Sequence, residues 1–315
     1  MNGFDFRRLR RWELALAAFA LSTPFLLPAL APGSSSLLSP AMAETVEQPD
    51  TSRIVSIGGA VTETIYALGE ENRLVGRDST STYPEAAAKL PNVGYMRQLA
   101  PEGIIAVNPA AIVAIEGSGP PEALAVLKQA KIPFTTIAET YDKAGILAKI
   151  RAVGAFLGVP DKAEALARSV EEDLDTALAD SDARPESERK RVLFILSTQG
   201  GKIMASGTST AASGIIELAG AINATENFRG YKPLTDEAIV EAKPDVILMM
   251  DRGGSHAISP DELFALPALS LTPAAKNKAL IRMDGLHLLG FGPRTASAIR
   301  ELNTAIYGKK TNASQ

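Results

Sequence analysis

Apolar and polar residues alternate along the chain in a pattern of short strands and helices. The first block opens with the apolar run Arg53–Ile57, a glycine pair, and helical spacing over Val61–Leu68. Buried-strand runs at Pro109–Ile115 and Ile132–Ile137 follow, each preceded by a predicted helix. Strand, glycine turn and helix in this order are typical of α/β folds, in which helices cover a mostly parallel sheet.

A long helical stretch separates this block from a second one. Apolar spacing predicts one helix that ends at Gly158 and a longer helix over about 160–180, where leucine and valine recur every four residues. From Arg191 the alternation of strands and helices begins again, with a helix predicted within Gly207–Gly220. The chain therefore has two α/β blocks and a helical connection.

The two blocks contain similar segments. Residues Glu102–Glu116 align without gaps with Glu237–Asp251, although a generic α/β rhythm would also give such a likeness. We predict two Rossmann-like α/β lobes joined by one long bridging helix, with a ligand cleft between the lobes. The predicted bounds are 44–141 for the first lobe, 142–190 for the helical segment and 191–315 for the second lobe.

The N-terminus has the pattern of an export signal. Four arginines between positions 7 and 11 precede an apolar run over Leu14–Leu30, and Ala41–Ala43 forms a small-x-small cleavage site. This pattern predicts a cleaved signal peptide over 1–43, whereas a membrane anchor is disfavoured by the prolines in and after the run. The adjacent arginines leave the twin-arginine route open beside the general secretory route.

Composition excludes several kinds of chemistry. The 315 residues include no cysteine, which removes thiol catalysis, disulfides, iron–sulfur clusters and a lipid anchor on cysteine. A soluble exported protein without a lipid anchor is expected in a Gram-negative periplasm. The net charge of −4 gives no sign of a nucleic-acid partner. Two histidines, His256 and His287, are too few for a histidine-rich zinc or manganese site.

Tyr83 is the most distinctive candidate for chemistry. It follows the hydroxyl-rich run Ser79–Thr82 and precedes Pro84, which pushes the residue before it towards extended backbone and so predicts a loop. A phenol among small polar neighbours is a candidate ligand for ferric iron, as tyrosine is a known haem ligand. The pattern alone favours a packed tyrosine with a satisfied hydroxyl, and ligation is the alternative.

Five stretches, spread from Ile54 to Thr295, are similar to a known family. They read SIGGAVTETIYALG, VGRDSTSTYP, VGYMRQLAPEGI, FRGYKPLTDEAIVEAKPDVIL and LLGFGPRT. In these stretches the chain resembles the periplasmic haem-binding proteins of bacterial haem-uptake ABC transporters. The wider class includes cobalamin and siderophore carriers, whose two lobes are bridged by one rigid helix. The loop with Tyr83 and the FGPRT stretch are the most specific of the five.

The resemblance implies roles for particular residues. Tyr83 is expected to ligate the iron of ferric haem b, the transported ligand. An arginine is expected to hydrogen-bond the phenolate, and the candidates are Arg77, Arg229 and Arg252. Pocket residues are expected at Tyr95, Met96 and Tyr231, and donors to the haem propionates at Gly59, Ala60, Arg77 and Arg97. Arg294, at a predicted helix start, is either a further donor or a structural residue.

The resemblance also implies partners. Glu102 and Glu237 occupy equivalent repeat positions and are expected to dock on the inner-membrane ABC permease and its ATPase, although an acid near a helix N-terminus has a structural explanation too. An outer-membrane haem receptor system would act upstream. His256 is a weak candidate for a second haem contact, and His287, in a predicted apolar strand, is interpreted as a core residue.

The predicted function is therefore carriage and not catalysis. The nearest alternative is the same scaffold carrying a ferric siderophore or a corrinoid. An exported α/β hydrolase is a remote alternative, because the chain has no nucleophile-elbow motif and its two histidines are poorly placed for a triad.

Overall fold

The computed structural model describes residues 49–251 and 258–308. The predicted signal peptide, Arg252 and His256 lie outside the described residues. Within those residues, the search for membrane spans found no helix with the length and apolar character that a crossing requires.

Twelve strands are described, and most are short. They are β1 (Ile54–Ile57), β2 (Leu74–Arg77), β3 (Gly94–Tyr95), β4 (Gln98–Leu99), β5 (Ala111–Ile115), β6 (Phe134–Ile137), β7 (Arg191–Ser197), β8 (Ile203–Ser206), β9 (Ile222–Asn223), β10 (Tyr231–Leu234), β11 (Val246–Asp251) and β12 (Leu280–Asp284).

Thirteen α-helices are described among these strands. They are α1 (Gly59–Ala67), α2 (Glu85–Ala88), α3 (Pro101–Ala106), α4 (Pro121–Gln129), α5 (Lys143–Leu157), α6 (Pro160–Asp182), α7 (Ala211–Leu218), α8 (Asp236–Ala242), α9 (Pro260–Phe264), α10 (Pro267–Ser270), α11 (Pro273–Lys276), α12 (Gly285–Leu289) and α13 (Thr295–Tyr307).

The strands form two main sheets, which define two lobes. The N-terminal lobe is built on a parallel sheet with strand order β2-β1-β5-β6. The C-terminal lobe is built on a mixed sheet with order β10-β8-β7-β11-β12, in which β7, β11 and β12 are parallel and β9 pairs with β7. The helices α5 and α6 connect the lobes, so the predicted α/β architecture with two lobes is confirmed.

The longest described helix, α6, connects the lobes in sequence and packs on both α5 and α13. It begins with Pro160 at a position where a missing backbone N–H costs nothing. The preceding helix α5 ends as predicted at Gly158, which has a positive φ of 71°.

One continuous apolar core joins the lobes. Buried side chains of this core extend from β1 and α1 through α5 and α6 to β7, α7 and α13. The outer face of each sheet is covered by a separate apolar cluster. Residues of one strand therefore alternate between the shared core and an outer cluster. In β1, Ile54 faces the shared core, whereas Val55 and Ile57 face the outer cluster. The relative position of the lobes is therefore set partly by packing.

The repeat predicted from the sequence is present as a helix followed by a parallel strand. The first copy contains α3 and β5, and the second contains α8 and β11. The prediction for His287 was wrong, because this residue lies in the short helix α12 and not in a strand. Asp284 caps that helix by accepting a hydrogen bond from the backbone N–H of His287 at 2.8 Å.

The close crossing of α5 and α6 gives a stability prediction. A Cβ placed on Gly154 would lie 2.1 Å from the Cβ of Ala163, so the helices approach only because Gly154 lacks a side chain. We expect Gly154→Ala to lower the free energy of unfolding by about 2 kcal/mol through overpacking, as measured by urea denaturation. Gly103→Ala is the control, since its nearest neighbour is 3.8 Å from the added Cβ. Equal stability of the two variants would contradict this account.

Candidate functional site

A cleft of about 1120 Å³ lies between the lobes, at the carboxyl ends of parallel strands. In α/β sheets this edge is where ligands bind, because the loops that follow the strands meet there. The turn after β1, the loop after β2 and the residues that follow β5, β6 and β12 all contribute. The lining residues that end or follow these strands include Gly58, Gly59, Ala60, Thr80, Thr82, Ile115, Glu116, Glu139, Tyr141, Asp284, Gly285 and Leu286.

The loop before Tyr83 is held by the buried carboxylate of Asp78. One oxygen accepts hydrogen bonds from the backbone N–H of Gly58 at 2.9 Å and the Ser81 hydroxyl at 2.7 Å. The other accepts from the backbone N–H and the hydroxyl of Thr80. The hydroxyl-rich run therefore has a structural use: it ties the loop to the turn that begins α1 and so fixes the base from which Tyr83 projects.

Tyr83 does not line the cleft itself. It is 43% exposed and lines a smaller cavity of about 350 Å³. Thr82 and Asp284 line both this cavity and the cleft, so the two cavities adjoin. The peptide bond between Tyr83 and Pro84 is cis. No hydrogen bond to the Tyr83 hydroxyl occurs within residues 49–251 and 258–308, so its oxygen is available to a ligand there.

An arginine from the C-terminal lobe stacks on the Tyr83 ring. The guanidinium carbon of Arg294 lies 3.5 Å from the ring centroid, a distance typical of cation–π contact. Glu63 accepts from the Arg294 side chain at 2.9 Å and from its backbone N–H at 3.1 Å. The Nδ1 atom of His287 lies 3.3 Å from the same guanidinium. Arg294 therefore makes structural contacts with Glu63, and it also contacts Tyr83, the candidate iron ligand.

Two further tyrosines lie deeper in the cleft. Burial raises the pKa of Tyr231, and the neighbouring Tyr141 adds to that increase. Burial likewise raises the pKa of Tyr141, with a further increase from the negative charge of Glu139. Both hydroxyls therefore remain protonated at neutral pH and act as hydrogen-bonding wall groups, which makes them poor sources of a phenolate.

A buried ion pair lies beneath the cleft. The Lys149 ammonium, which is fully buried on α5, donates to Glu139 and to the backbone carbonyl oxygen of Phe291 at 3.0 Å. Burial lowers the pKa of Lys149 and raises that of Glu139, while the opposite charge of each partner counteracts these shifts. Because Phe291 belongs to the C-terminal lobe, this lysine ties the two lobes together.

The structure brings together six of the pocket residues predicted from the sequence. These cleft-lining residues are Gly59, Ala60, Tyr95, Met96, Arg97 and Tyr231. The Gly59 N–H, a predicted donor to a propionate, donates to the Thr80 hydroxyl at 3.1 Å. A Cβ on Gly59 would lie 2.4 Å from the side chain of Leu286, so the lobes touch at this glycine.

Two of the predicted arginines do not line either cavity. The guanidinium of Arg77 donates to the carbonyl oxygens of Asp78 at 3.1 Å and Ala88 at 3.0 Å, so it supports the loop backbone. Arg229 is exposed and precedes Gly230, which lines the cleft. The third candidate, Arg252, lies outside the described residues.

Several lining residues were missed from the sequence. Glu139 and Tyr141 follow β6, and Asp284 ends β12. Their position in the sequence could have identified them, because each one ends or follows a parallel strand, and the cleft forms at the carboxyl ends of these strands. Within the part of the chain that the structure describes, no group of three or more His, Asp or Glu side chains is arranged to hold a metal ion.

Glu102 and Glu237 are exposed on the outer surface. Each is the second residue of its helix, α3 or α8. Hydrogen bonds to its own backbone N–H and to Thr235 lower the pKa of Glu237. An exposed apolar residue follows one turn later in both helices, Ile105 in α3 and Val240 in α8.

Two α/β lobes around a cleft, joined through a long helix, define a solute-binding protein. Residues 54–285 match the family described as periplasmic binding protein. The chain belongs to this family, which confirms the resemblance at the level of family and shows that the protein binds a ligand and is not an enzyme.

Several solved structures similar to this chain are periplasmic haem-binding proteins. The protein BhuT in complex with two haems is 40% identical, with a TM-score of 0.76 over 81% of this chain and 97% of BhuT. The apo protein RhuT from Roseiflexus sp. RS-1 is 38% identical, with a TM-score of 0.77 over 82% of this chain and 98% of RhuT. A vitamin B12-binding protein of Pectobacterium atrosepticum is 26% identical over 80% of this chain and 90% of its own length.

The Lys149–Glu139 pair gives a pH prediction. Lys149→Met removes the cation that holds down the pKa of Glu139, so burial raises that pKa further. An acid with a raised pKa in the folded state stabilises the protein below its unfolded pKa, and this contribution is lost as the pH rises through the folded value. We therefore expect Lys149→Met to reduce the free energy of unfolding more at about pH 7.5 than at about pH 4, relative to wild type.

Lys143→Met is the matched control for this experiment. Lys143 is on the same helix, but its partners Asp175 and Glu171 are 61% and 41% exposed, so removal of these pairs has little effect at either pH. Urea denaturation of both variants at the two pH values provides the measurement. A destabilisation by Lys149→Met that is the same at both pH values would contradict the argument.

Proposed function

We propose that the protein binds one ferric haem b in the interlobe cleft through the Tyr83 phenolate. The observation that carries this proposal is the setting of Tyr83. The residue is partly exposed in the cavity that adjoins the cleft, a guanidinium covers one face of its ring, and the hydroxyl has no hydrogen-bond partner among the described residues. Phenolate is a recognised haem ligand, and the positive charge of Arg294 would stabilise it when it is bound to iron.

The cleft supports a flat apolar ligand with charged edges. Met96, Tyr231, Met250, Leu286 and Leu289 supply apolar surface for a porphyrin. Arg97 is the single arginine or lysine among the described residues that line the cleft, and it is exposed at the turn between β3 and β4, where a haem propionate could reach it. Two proteins of 38% and 40% identity that bind haem support the same ligand.

The proposed setting is the periplasm. The signal-peptide pattern over residues 1–43 and the family match both support export, with an outer-membrane haem receptor system upstream. The protein would then deliver haem to an inner-membrane permease and its ATPase. Glu102 and Glu237 are proposed as the docking residues, because they are exposed acids at equivalent positions of the two lobes.

A corrinoid is the second candidate ligand. The similarity to a vitamin B12-binding protein favours it. In cyanocobalamin both axial positions of the cobalt are already occupied, so this corrinoid needs no protein tyrosinate, whereas ferric haem has axial positions open to one. Titration with cyanocobalamin beside haem separates the two ligands, and the haem proposal predicts no saturable binding of the corrinoid.

A ferric-haem titration of the mature protein tests the proposed ligand. We expect saturable binding at one equivalent with a high-spin, tyrosinate-type visible spectrum. Tyr83→Phe keeps the ring on Arg294 but removes the oxygen, so the spectrum should be lost and the affinity should fall by at least about 100-fold.

Tyr95→Phe is the matched control, because Tyr95 is also 43% exposed and lines the cleft. This variant should retain the spectrum. A tyrosinate-type spectrum that persists in Tyr83→Phe would contradict the assignment of the ligand. Tight binding of cyanocobalamin with no specific binding of haem would replace the proposed function by the corrinoid alternative.

Charge reversal tests the docking residues. Glu102→Arg and Glu237→Arg should each lower the ATPase stimulation of the reconstituted cognate permease by about tenfold. The reason is that each new arginine would face the basic permease residues on which the glutamates are proposed to dock. Haem affinity should stay within about twofold of wild type, because both residues lie outside the cleft.

Glu122→Arg provides the control for these reversals. Glu122 is also exposed and is the second residue of its helix, α4, but it lies outside the repeat. Its reversal should leave ATPase stimulation unchanged. A loss of stimulation in Glu122→Arg equal to that in the other two variants would mean that general surface charge, and not these two positions, governs docking.

A further inference from the structure

The sequence motif LLGFGPRT is one of the most specific stretches of the chain, and the proposed haem site does not by itself explain it. The motif ends α12, turns at Phe291 with a positive φ of 52°, and begins α13 just after Arg294. This turn belongs to the C-terminal lobe. It nevertheless places the Arg294 guanidinium 3.5 Å from the ring centroid of Tyr83, which belongs to the N-terminal lobe.

Arg294 is fixed by more groups than a simple surface arginine. Its Nη2 donates to Glu63 at 2.9 Å, and the Glu63 side chain is only 6% exposed. The second oxygen of the same carboxylate accepts from the Arg294 backbone N–H at 3.1 Å, so a single acid fixes both ends of the residue. Such charge-assisted hydrogen bonds are short and directional.

The other side of the guanidinium faces His287. The His287 Nδ1 atom lies 3.3 Å from Arg294 Nη1, and its Nε2 atom lies 3.2 Å from a carboxylate oxygen of Glu301. This chain of contacts leaves the guanidinium little freedom to rotate away from Tyr83. The buried Arg294 Nε has no hydrogen-bond partner among the described residues. The Arg294 guanidinium lies against the aromatic face of Tyr83.

Tyr83 itself has few other restraints. Its side chain is partly exposed, and its hydroxyl has no hydrogen-bond partner within the described ranges. The Asp78 network fixes the backbone that leads to it, but that network ends at Ser81. Among the hydrogen bonds and ring contacts of the described residues, the one that orients the Tyr83 ring is therefore the contact with Arg294.

We propose that Arg294 is a positioning residue for Tyr83: held by Glu63 and His287, it fixes the ring from the opposite lobe and presents the phenolic oxygen to the iron. This role rests on the proposed function. The ligand-bearing loop and its support come from different lobes, so the site is complete only when the lobes are in contact. Loading of the ligand is thereby coupled to the contact between the lobes.

The first test uses the apo protein and needs no haem. The six tyrosines are replaced by 3-fluorotyrosine, and the ¹⁹F resonance of Tyr83 is assigned with Tyr83→Phe. In Arg294→Met this resonance should move and narrow, since the ring gains freedom, while the other tyrosine resonances remain unchanged. Arg300→Met is the control: this arginine lies in α13, the helix that Arg294 precedes, but pairs with Asp173 at the surface. An unmoved Tyr83 resonance in Arg294→Met would overturn the proposal.

The second test measures haem release. Transfer of haem to apomyoglobin should be about tenfold faster from Arg294→Met than from wild type or Arg300→Met. The tyrosinate-type spectrum should be retained in Arg294→Met, because the ligand oxygen is still present. Arg294→Lys should recover part of the loss, since a cation remains. An unchanged release rate in Arg294→Met would overturn the positioning role.

Loss of Arg294 leaves the buried Glu63 carboxylate without its cation, which could unfold the variant. The double variant Glu63→Gln/Arg294→Met removes both charges and should show the same shift of the Tyr83 resonance and the same faster release. If the Tyr83 ¹⁹F resonance depends on Arg294 but the wild-type protein binds no haem, the proposed function fails. The proposal that Arg294 presents Tyr83 to the iron then fails as well. A failed ¹⁹F test with intact haem binding would remove only the positioning role.

Discussion

Two buried charges, Glu63 on α1 of the N-terminal lobe and Lys149 on the connecting helix α5, hold one loop of the C-terminal lobe in place. Lys149 binds the carbonyl oxygen of Phe291, and Glu63 binds both the backbone and the side chain of Arg294. A buried charge without its partner is costly, so any wide opening of the cleft must first replace these contacts with water. The width of the cleft and the position of the Tyr83 ring both depend on this loop.

The site combines two kinds of order. The base of the Tyr83 loop is fixed locally, by the hydroxyls and backbone N–H groups that converge on Asp78. The ring is contacted by Arg294, a residue that is distant in sequence and belongs to the other lobe. If Tyr83 ligates the iron as proposed, the local network would keep its loop folded in the absence of haem, while the contact with Arg294 would depend on the position of the opposite lobe.

Much of the fold could be predicted from sequence because it depends on local patterns. Apolar spacing and helix-end residues such as Gly158 predicted the elements, and the repeat predicted two similar lobes. The Arg294–Glu63 contact could not be predicted, because it joins residues 231 positions apart and has no periodic signal. His287 was misassigned because a short apolar run has the same appearance in a strand and in one turn of helix.

Resonance Raman spectroscopy of the ferric-haem complex is the most direct test of the central claim, that a tyrosinate of this chain ligates the iron. The complex is prepared with ordinary and with ring-deuterated tyrosine. The account predicts enhanced phenolate vibrations that shift on deuteration and are absent from Tyr83→Phe. A saturable haem complex whose spectrum contains no deuteration-sensitive phenolate vibration would contradict it.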